Sequence, residues 1–226
     1  GNMRLAAYPP GKGDITNMIR SYIHRCQKDG VKIVMNCEVT PELIKEEKPD
    51  SVIIATGSKT LILPIEGIDN PAIIHGSDLL DGKRAAGKKV LVVGGGMVGC
   101  ETAAFLGEQE HDVTVIEFRD TVGADVIHEH RVYLMKDFED YGIKEITGAK
   151  VCKFYEDGVE YETADGVRHE SRGYDSVILS MGFRNYNPLE EKIKDLVPET
   201  HVIGDAIRAR RALDATKEAY EVASRI

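Results

Sequence analysis

Three glycines within the stretch Val92–Glu101 have the spacing that binds the pyrophosphate of a dinucleotide. Gly94 allows a tight turn, Gly96 lets the backbone approach a pyrophosphate, and Gly99 lets a helix pack closely on its strand. The helix that begins there offers free N–H groups and a partial positive charge. Glu117, at the end of the next predicted strand, could accept hydrogen bonds from both ribose hydroxyls of NAD. The pattern predicts a dinucleotide site; the alternative is a glycine turn kept only for tight helix packing.

Two other strand ends have weaker features of nucleotide contacts. Thr56 and Gly57 follow the apolar run "SVIIA", and Asp205 in "VIGDA" precedes a predicted helix. An acid beside a helix start suits the hydroxyls of a polyol chain, while the helix faces its phosphate. Glycine-containing strand exits are common, so the two features are informative only together.

A repeated α/β pattern positions these residues. Residues 14–30 have apolar positions at helical spacing, which predicts one face of a packed helix. Residues 31–35 ("VKIVM") are predicted as a buried strand, residues 41–50 as a short helix and residues 51–57 as another buried strand. Glycines and prolines between residues 60 and 87 indicate a linker and a domain boundary.

The following segment predicts one complete βαβ unit around the glycine turn. A helix over residues 127–141, a strand near Ile143, two hairpins at Asp157-Gly158 and Asp165-Gly166, and a closing segment "DSVILSMG" come after it. Residues 199–226 predict a strand, a Gly-Asp turn and a final helix. This order is typical of the three-layer nucleotide-binding domain of flavoprotein reductases.

Composition and charge exclude several classes of protein. The chain has 226 residues, 42% hydrophobic and 6% aromatic, and a formal net charge of -9, which argues against a nucleic-acid or anionic-membrane partner. No run approaches the roughly 18 apolar residues of a membrane span, and no charged leader is visible, so a cytoplasmic location is predicted. Four cysteines without a C-x-x-C pair are predicted to be buried thiols, and no metal site or catalytic side chain is predicted.

The order of the short motifs resembles one family along the whole chain. The motifs "GNMRLAAYPPGK", "IIATG", "VVGGGMVGCE", "VIEF", "LSMGFR" and "VIGDA" are similar to the C-terminal halves of multidomain NADH:flavin oxidoreductases related to 2,4-dienoyl-CoA reductase, 2-enoate reductase and trimethylamine dehydrogenase. In that family an N-terminal TIM barrel carries FMN and a 4Fe-4S cluster. The C-terminal half pairs an FAD-type domain, which holds only ADP in trimethylamine dehydrogenase, with an inserted NAD-type domain.

The resemblance implies an α/β, Rossmann-like FAD/NAD(P)-binding three-layer ββα fold. Residues 1–82 would be the middle of an FAD-type domain, residues 86–184 the inserted NAD-binding domain and residues 198–226 the C-terminal part of the FAD-type domain. The first βαβ of the FAD-type domain would lie before Gly1. The expectation is therefore a fragment with an incomplete FAD site.

The resemblance also assigns cofactor-binding residues. Gly94, Gly96, Gly99 and Glu117 resemble the NAD site, with Gly182 at its far edge. What remains of the FAD site would comprise Asn2, Arg4, Val39, Thr56, Gly57 and Asp205. Arg4 could instead be a surface arginine, and Val39 could be a core residue.

Two features near the implied NAD site differ from the family pattern or leave an alternative open. The family's Arg-Pro-Asn is replaced by the four residues 184–187, "RNYN", which changes the expected loop. Glu101, two residues after Gly99, lies near the nicotinamide or only compensates the helix dipole.

Three functional hypotheses follow. In the first, the parent protein passes hydride from NADH to FAD, and electrons continue through the iron-sulfur cluster and FMN to an activated C=C bond; the cofactors carry the reaction, and the chain alone would be inactive. Its partners would be the N-terminal TIM barrel and, in an assembly of unpredicted size, copies of the same chain. In the second, the chain is a non-catalytic NAD or adenine-nucleotide binding module. The third, a reductase with its own dithiol, is disfavoured because no C-x-x-C is present.

Overall fold

The computed structural model describes residues 1–226. The α-helices are α1 (Asn2–Leu5), α2 (Asp14–Lys28), α3 (Pro41–Glu47), α4 (Gly76–Leu80), α5 (Met97–Glu108), α6 (His128–Asp140), α7 (Glu190–Ile193) and α8 (Ala212–Ala223), with one 3-10 helix at Gly204–Ala206. The strands are β1 (Ser51–Ile54), β2 (Ser58–Thr60), β3 (Ile74–His75), β4 (Lys89–Val93), β5 (Asp112–Ile116), β6 (Lys144–Ile146), β7 (Lys150–Tyr155), β8 (Gly158–Glu162), β9 (Arg168–Ser171), β10 (Ser176–Leu179), β11 (Phe183–Asn185) and β12 (Glu199–Val202). None of these helices has the length and hydropathy that crossing a membrane requires.

The chain divides into two compact units. The glycine-turn unit comprises residues 3–17 and 60–182, and the Gly-Asp unit comprises residues 1–2, 18–59 and 183–226. Both units are discontinuous in sequence, because the chain passes between them four times, after residues 2, 17, 59 and 182.

A five-stranded parallel sheet forms the centre of the glycine-turn unit. Its strand order is β3-β10-β4-β5-β6, so the strand before the glycine turn lies in the middle. Helices α5 and α6 pack on one face through a cluster that includes Val90, Val92 and Leu134. The antiparallel sheet β7-β8-β9 covers the other face through Leu91 and Phe154. The predicted three-layer architecture and the two predicted hairpins are therefore confirmed.

The predicted linker over residues 60–87 is wrong in part. Ile68 and Ile73 are buried, Ile74 belongs to β3 at the edge of the parallel sheet, and a Cβ on Gly67 would come within 2.3 Å of the Phe154 carbonyl oxygen. Glycine and proline mark turns, but they do not report whether the isoleucines between them reach a sheet. Residues 60–82, which the sequence grouped with the FAD-type domain, consequently belong to the compact glycine-turn unit.

The Gly-Asp unit has a much smaller framework. Strands β1 and β12 form a two-stranded parallel sheet in which Ile54 pairs with Val202, and β2 pairs with β11 in a second two-stranded sheet. A core cluster that includes Ile44 from α3, Ile54 from β1 and Ile193 from α7 packs against the first sheet. The 3-10 helix and α8 follow β12.

Two predictions in the Gly-Asp unit are wrong. Residues 31–35 form no strand, and Met35 in this segment is 76% exposed. Helix α2 forms as predicted, but none of its residues is buried. Apolar periodicity determines a helix or a strand locally, whereas burial and strand pairing need a neighbouring surface. In this unit β1 pairs only with β12, and residues 31–35 do not join that sheet.

Candidate functional site

The glycine turn joins β4 to α5, and two of its glycines are required by close backbone approaches. Gly94 has a φ of +105°, and a Cβ there would lie 2.4 Å from the Ser180 carbonyl oxygen. A Cβ on Gly99 would lie 1.8 Å from the Gly94 carbonyl oxygen. These positions bring the first turn of α5 down onto the end of the sheet, as the sequence predicts for its first and third glycines.

Gly96 has a different environment. It is the N-cap of α5 and provides no side-chain cap for the helix. The nearest atoms to a Cβ there would be the two carboxylate oxygens of Asp125, at 3.4 and 3.5 Å, with no backbone or apolar atom at close range. A side chain at residue 96 would therefore fill the space in front of the first N–H groups of α5, where an anion can bind.

Glu117 lies at the same edge of the sheet as the glycine turn. It follows β5, and its Oε2 accepts a hydrogen bond from the Gly95 N–H at 2.6 Å while Oε1 accepts one from the Arg119 N–H at 2.9 Å. The backbone thus fixes the carboxylate beside the turn. A nucleotide whose pyrophosphate lay at Gly96 would have an acid within the same small region for its ribose hydroxyls.

Gly182 lies beyond β10, the neighbour of β4. It has a φ of +99°, and its carbonyl oxygen accepts a hydrogen bond from the Leu61 N–H at 2.9 Å. Since β10 and β4 are parallel, their carboxyl ends meet at one edge. Gly182 is therefore at the same edge of the sheet as the glycine turn.

Glu101 is a buried acid with a lysine and a histidine beside it. Its side chain is 8% exposed and accepts a short hydrogen bond from Lys12 Nζ. His130 Nε2 lies 3.2 Å from the same Glu101 oxygen, in an orientation that does not satisfy hydrogen-bond geometry. Burial of a carboxylate is costly unless it is paired, so Glu101 differs from an exposed acid that only compensates the helix dipole. Neither Lys12 nor His130 was singled out from the sequence, since both lie far from Glu101 along the chain.

The Gly-Asp turn has its own polar network. Asp205 Oδ2 accepts a hydrogen bond from the Ser58 hydroxyl at 3.0 Å, and Oδ1 accepts one from the Arg210 N–H at 3.0 Å. The Asn2 side-chain amide donates to the Ser58 hydroxyl at 2.9 Å. The structure therefore brings Asn2 and Asp205 together through Ser58, which the sequence did not indicate.

Thr56 and Gly57 are joined to the loop that departs from the family pattern. The Thr56 hydroxyl donates to the Tyr186 carbonyl oxygen, and the Gly57 carbonyl accepts from the Tyr186 N–H at 3.0 Å. Gly57 has a φ of +78°, which favours glycine at this strand exit. The Lys59 ammonium lies 3.6 Å from the centroid of the Tyr186 ring.

The other two residues assigned to the FAD site lie outside these networks. Val39 is 45% exposed and belongs to no strand. Arg4, in the glycine-turn unit, donates to Asp81, which Lys83 also contacts. Hydrogen bonds from Arg4 and Lys83 lower the pKa of Asp81 to about 2. Arg4 thus has a protein partner rather than a free guanidinium.

The prediction of four buried cysteines is wrong. Only Cys100 is buried, Cys37 is exposed, and Cys26 and Cys152 are intermediate. Burial raises the pKa of the Cys100 thiol to about 12. Cysteine is buried on average, but an average tendency does not decide individual positions. The structure contains no group of three or more His, Cys, Asp or Glu side chains that could hold a metal ion.

Comparisons with known proteins identify relatives of the chain in sequence and in fold. The family model "Pyridine nucleotide-disulphide oxidoreductase" matches residues 12–202. The chain is 30% identical to a bilirubin reductase of Mediterraneibacter gnavus, over 99% of this chain and 35% of that protein, and 30% identical to a cinnamate reductase of Clostridium sporogenes, over 100% and 34%. A solved 2-naphthoyl-CoA reductase is 31% identical with a TM-score of 0.93, over 100% of this chain and 34% of that one.

These matches confirm the resemblance drawn from the motifs. The chain spans about a third of the length of the curated relatives it matches. The two curated relatives and the solved structure are reductases, and their similarity extends over almost the entire chain. The chain belongs to the pyridine nucleotide-disulphide oxidoreductase family and, within it, is similar to the flavin oxidoreductases of the enoate reductase-like class.

Proposed function

We propose that the chain is the pyridine-nucleotide-binding part of an FAD- and FMN-dependent oxidoreductase. In the whole protein, hydride would pass from NADH to FAD for the reduction of an activated C=C bond on a separate barrel domain. The observation that carries the proposal is the placement of Gly96 and Glu117 at one edge of the parallel sheet, beside the N-terminus of α5, which has no side-chain cap from its own N-cap residue.

In this proposal the residues of the glycine-turn unit bind and orient NADH. The backbone at Gly94, Gly96 and Gly99 would hold the pyrophosphate against α5, and the Glu117 carboxylate would accept hydrogen bonds from the ribose hydroxyls. Gly182 would border the site. NADH supplies the hydride when bound, while the chain provides geometry and electrostatics.

The pair formed by Lys12 and the buried Glu101 is proposed to border the nicotinamide end of the site. Glu101 is the fifth residue of α5, two residues beyond Gly99, and its charge is compensated by Lys12. A fixed ion pair there would restrict where the nicotinamide ring can lie. No proton transfer is required of either group.

The FAD-type site is proposed to be incomplete in this chain. Asp205 would face the polyol chain of FAD, with contributions from Asn2, Arg4, Val39, Thr56 and Gly57. The FMN and 4Fe-4S cluster would be carried by an N-terminal TIM barrel, which agrees with the chain spanning about a third of its relatives. The chain alone would then bind nicotinamide dinucleotide but turn over no substrate, and association with further copies of itself is compatible with this arrangement.

One observation favours the alternative of a non-catalytic NAD or adenine-nucleotide module. Both Asp205 oxygens already accept hydrogen bonds, from Ser58 and from the Arg210 backbone. The Asp205 carboxylate is thus already engaged within the chain, and a flavin polyol would have to share it with these two partners. In this alternative the glycine turn still binds a dinucleotide, but no electrons are transferred.

A comparison of NADH and NADPH binding tests the nucleotide assignment. NADH should bind more tightly, because a 2′-phosphate beside Glu117 would suffer like-charge repulsion, which can cost several kcal/mol. The exposed side chain of Arg119 could instead favour NADPH, because an arginine near this strand end is typical of an NADP site. Fluorescence titration of the purified chain with each cofactor measures the preference directly.

Glu117→Ala provides the site-specific arm of this experiment. It should weaken NADH binding and relieve NADPH binding, so the preference narrows. Glu156→Ala, an exposed acid in the turn between β7 and β8, removes the same charge away from the glycine turn and should leave both affinities unchanged. Equal or tighter binding of NADPH to the unmodified chain would contradict the assignment.

A further inference from the structure

We infer that Asp125 occupies the anion-binding end of α5 in the free protein, and that its displacement limits the affinity of the chain for a dinucleotide. The inference rests on the proposed function, because it concerns the same glycine turn. In this view the turn carries two acids with opposite effects on nucleotide affinity: Asp125 lowers the affinity, and Glu117 raises it.

The Asp125 carboxylate lies where the pyrophosphate would bind. Its Oδ1 accepts a hydrogen bond from the Met97 N–H at 2.9 Å, the first residue of α5. Both oxygens lie 3.4 to 3.5 Å from the position that a Cβ on Gly96 would take. The helix has no side-chain cap of its own, so Asp125 supplies from 28 residues away the anion that the helix N-terminus attracts.

The segment that carries Asp125 is anchored against the glycine turn. The Gly123 N–H donates to the Gly95 carbonyl oxygen at 2.7 Å, and Gly123 has a φ of +64°. Arg131 donates to the Thr121 hydroxyl at 3.0 Å and to the Val122 carbonyl oxygen at 3.1 Å. The backbone therefore holds this segment over the turn.

Two buried valines fix the segment from beneath. Val122 is fully buried and Val126 is 8% exposed, and both belong to the core on the α5 face of the sheet. Asp125 between them is exposed. Its carboxylate can accordingly rotate away from Met97 without unpacking the segment, which makes it a displaceable cap rather than a permanent one.

The two acids at the turn should have opposite effects on binding. A pyrophosphate is negatively charged and uses the same N–H groups as Asp125, so the two anions exclude one another and repel. Glu117 instead faces ribose hydroxyls in the proposed function, where its charge is an advantage. Neutralising Asp125 should tighten dinucleotide binding, whereas removing Glu117 should weaken it.

Charge-neutral variants of the full chain test the inference. Asp125→Asn keeps an oxygen that can accept from Met97 and removes the charge, so it should bind NADH about three- to tenfold more tightly than the unmodified chain. Asp120→Asn makes the same charge change at an exposed position earlier in the segment and should leave the affinity unchanged. The gain for Asp125→Asn should shrink as salt is raised, because screening weakens the repulsion.

Adenosine binding shows whether Asp125→Asn acts through the pyrophosphate or changes nucleotide binding in general. Adenosine carries a ribose but no phosphate, so the unmodified chain and Asp125→Asn should bind it equally, as measured by chemical-shift titration. Unchanged or weaker NADH binding by Asp125→Asn, in a chain that does bind NADH, would overturn the role of Asp125 and leave the proposed function intact. An absence of NADH binding in every variant would overturn the proposed function together with the inference.

Discussion

Two strands, β4 and β12, each belong to a parallel sheet and end in a glycine-containing turn followed by helical backbone. The surroundings of the two turns differ. β4 lies between β10 and β5 in a five-stranded sheet, and α5 after it has eight buried residues. β12 pairs only with β1, the backbone after it is a short 3-10 helix, and α8 has no buried residue. The local sequence features are similar, but only the first turn lies within a complete layered framework.

The difference shows what a turn motif contributes and what it leaves to the rest of the fold. A glycine turn supplies free N–H groups and room for a phosphate, whereas pre-organisation comes from the rigid elements on both sides. At the glycine turn, the sheet and the two covering layers supply that rigidity. At the Gly-Asp turn, the carboxylate of Asp205 is held by neighbouring polar groups instead.

The largest contrast between the two units should be in thiol reactivity. Cys100 in α5 is buried with a pKa near 12, so at pH 8 only about one molecule in ten thousand carries a thiolate there. Cys37 in the Gly-Asp unit is exposed. A chromogenic thiol reagent under native conditions should label Cys37 orders of magnitude faster than Cys100.

The matched variants for this measurement are Cys37→Ser and Cys100→Ser. Loss of the fastest kinetic phase in Cys37→Ser, with that phase unchanged in Cys100→Ser, identifies the exposed thiol. Rapid native labelling of Cys100 would mean that the glycine-turn unit is not the rigid framework described above.

Substitution of Gly99 should break the glycine turn itself. Its Cβ would come within 1.8 Å of the Gly94 carbonyl oxygen, so Gly99→Ala forces α5 away from β4. Overpacking of this kind costs about 1–3 kcal/mol or more, and we expect at least a roughly tenfold loss of NADH affinity with a lower unfolding midpoint. Chemical denaturation and NADH titration measure both effects.

Gly13→Ala is the matched control for this substitution. A Cβ on Gly13 would meet nothing within 4 Å, and that glycine has no positive φ. Gly13→Ala should change neither the NADH affinity nor the unfolding midpoint. Wild-type NADH affinity and stability in Gly99→Ala would show that the close approach is dispensable.

Flavin binding should show the smallest effect. If the Gly-Asp turn lacks the framework that the glycine turn has, the purified chain should hold less than one equivalent of FAD, and its NADH affinity should be unaffected by added FAD. Visible absorbance after desalting measures the bound flavin. A bright yellow protein with one tightly bound FAD would remove the contrast between the two turns and contradict the proposal that the FAD site is incomplete.

The sequence predicted the glycine-turn unit better than the Gly-Asp unit, for a physical reason. Between residues 88 and 182 the apolar periodicity, the turn signals and most of the packing partners belong to one continuous stretch, and the βαβ order and both hairpins were confirmed. In residues 14–35 the periodicity was equally clear, but α2 is unburied and "VKIVM" is not a strand. Burial there would depend on surfaces that the pattern does not contain.

The sequence by itself determined the features that a few neighbouring residues encode: the glycines of the turn, the start of α5, the acid after β5 and the hairpins. Tertiary structure alone decided which distant groups meet at those features. Met97 and Asp125 are 28 residues apart, Lys12 and Glu101 are 89 apart, and Ser58 and Asp205 are 147 apart. Helical and strand periods extend over about ten residues, so they cannot carry information about such pairs, which arise only when packed layers bring separate strand ends to one edge.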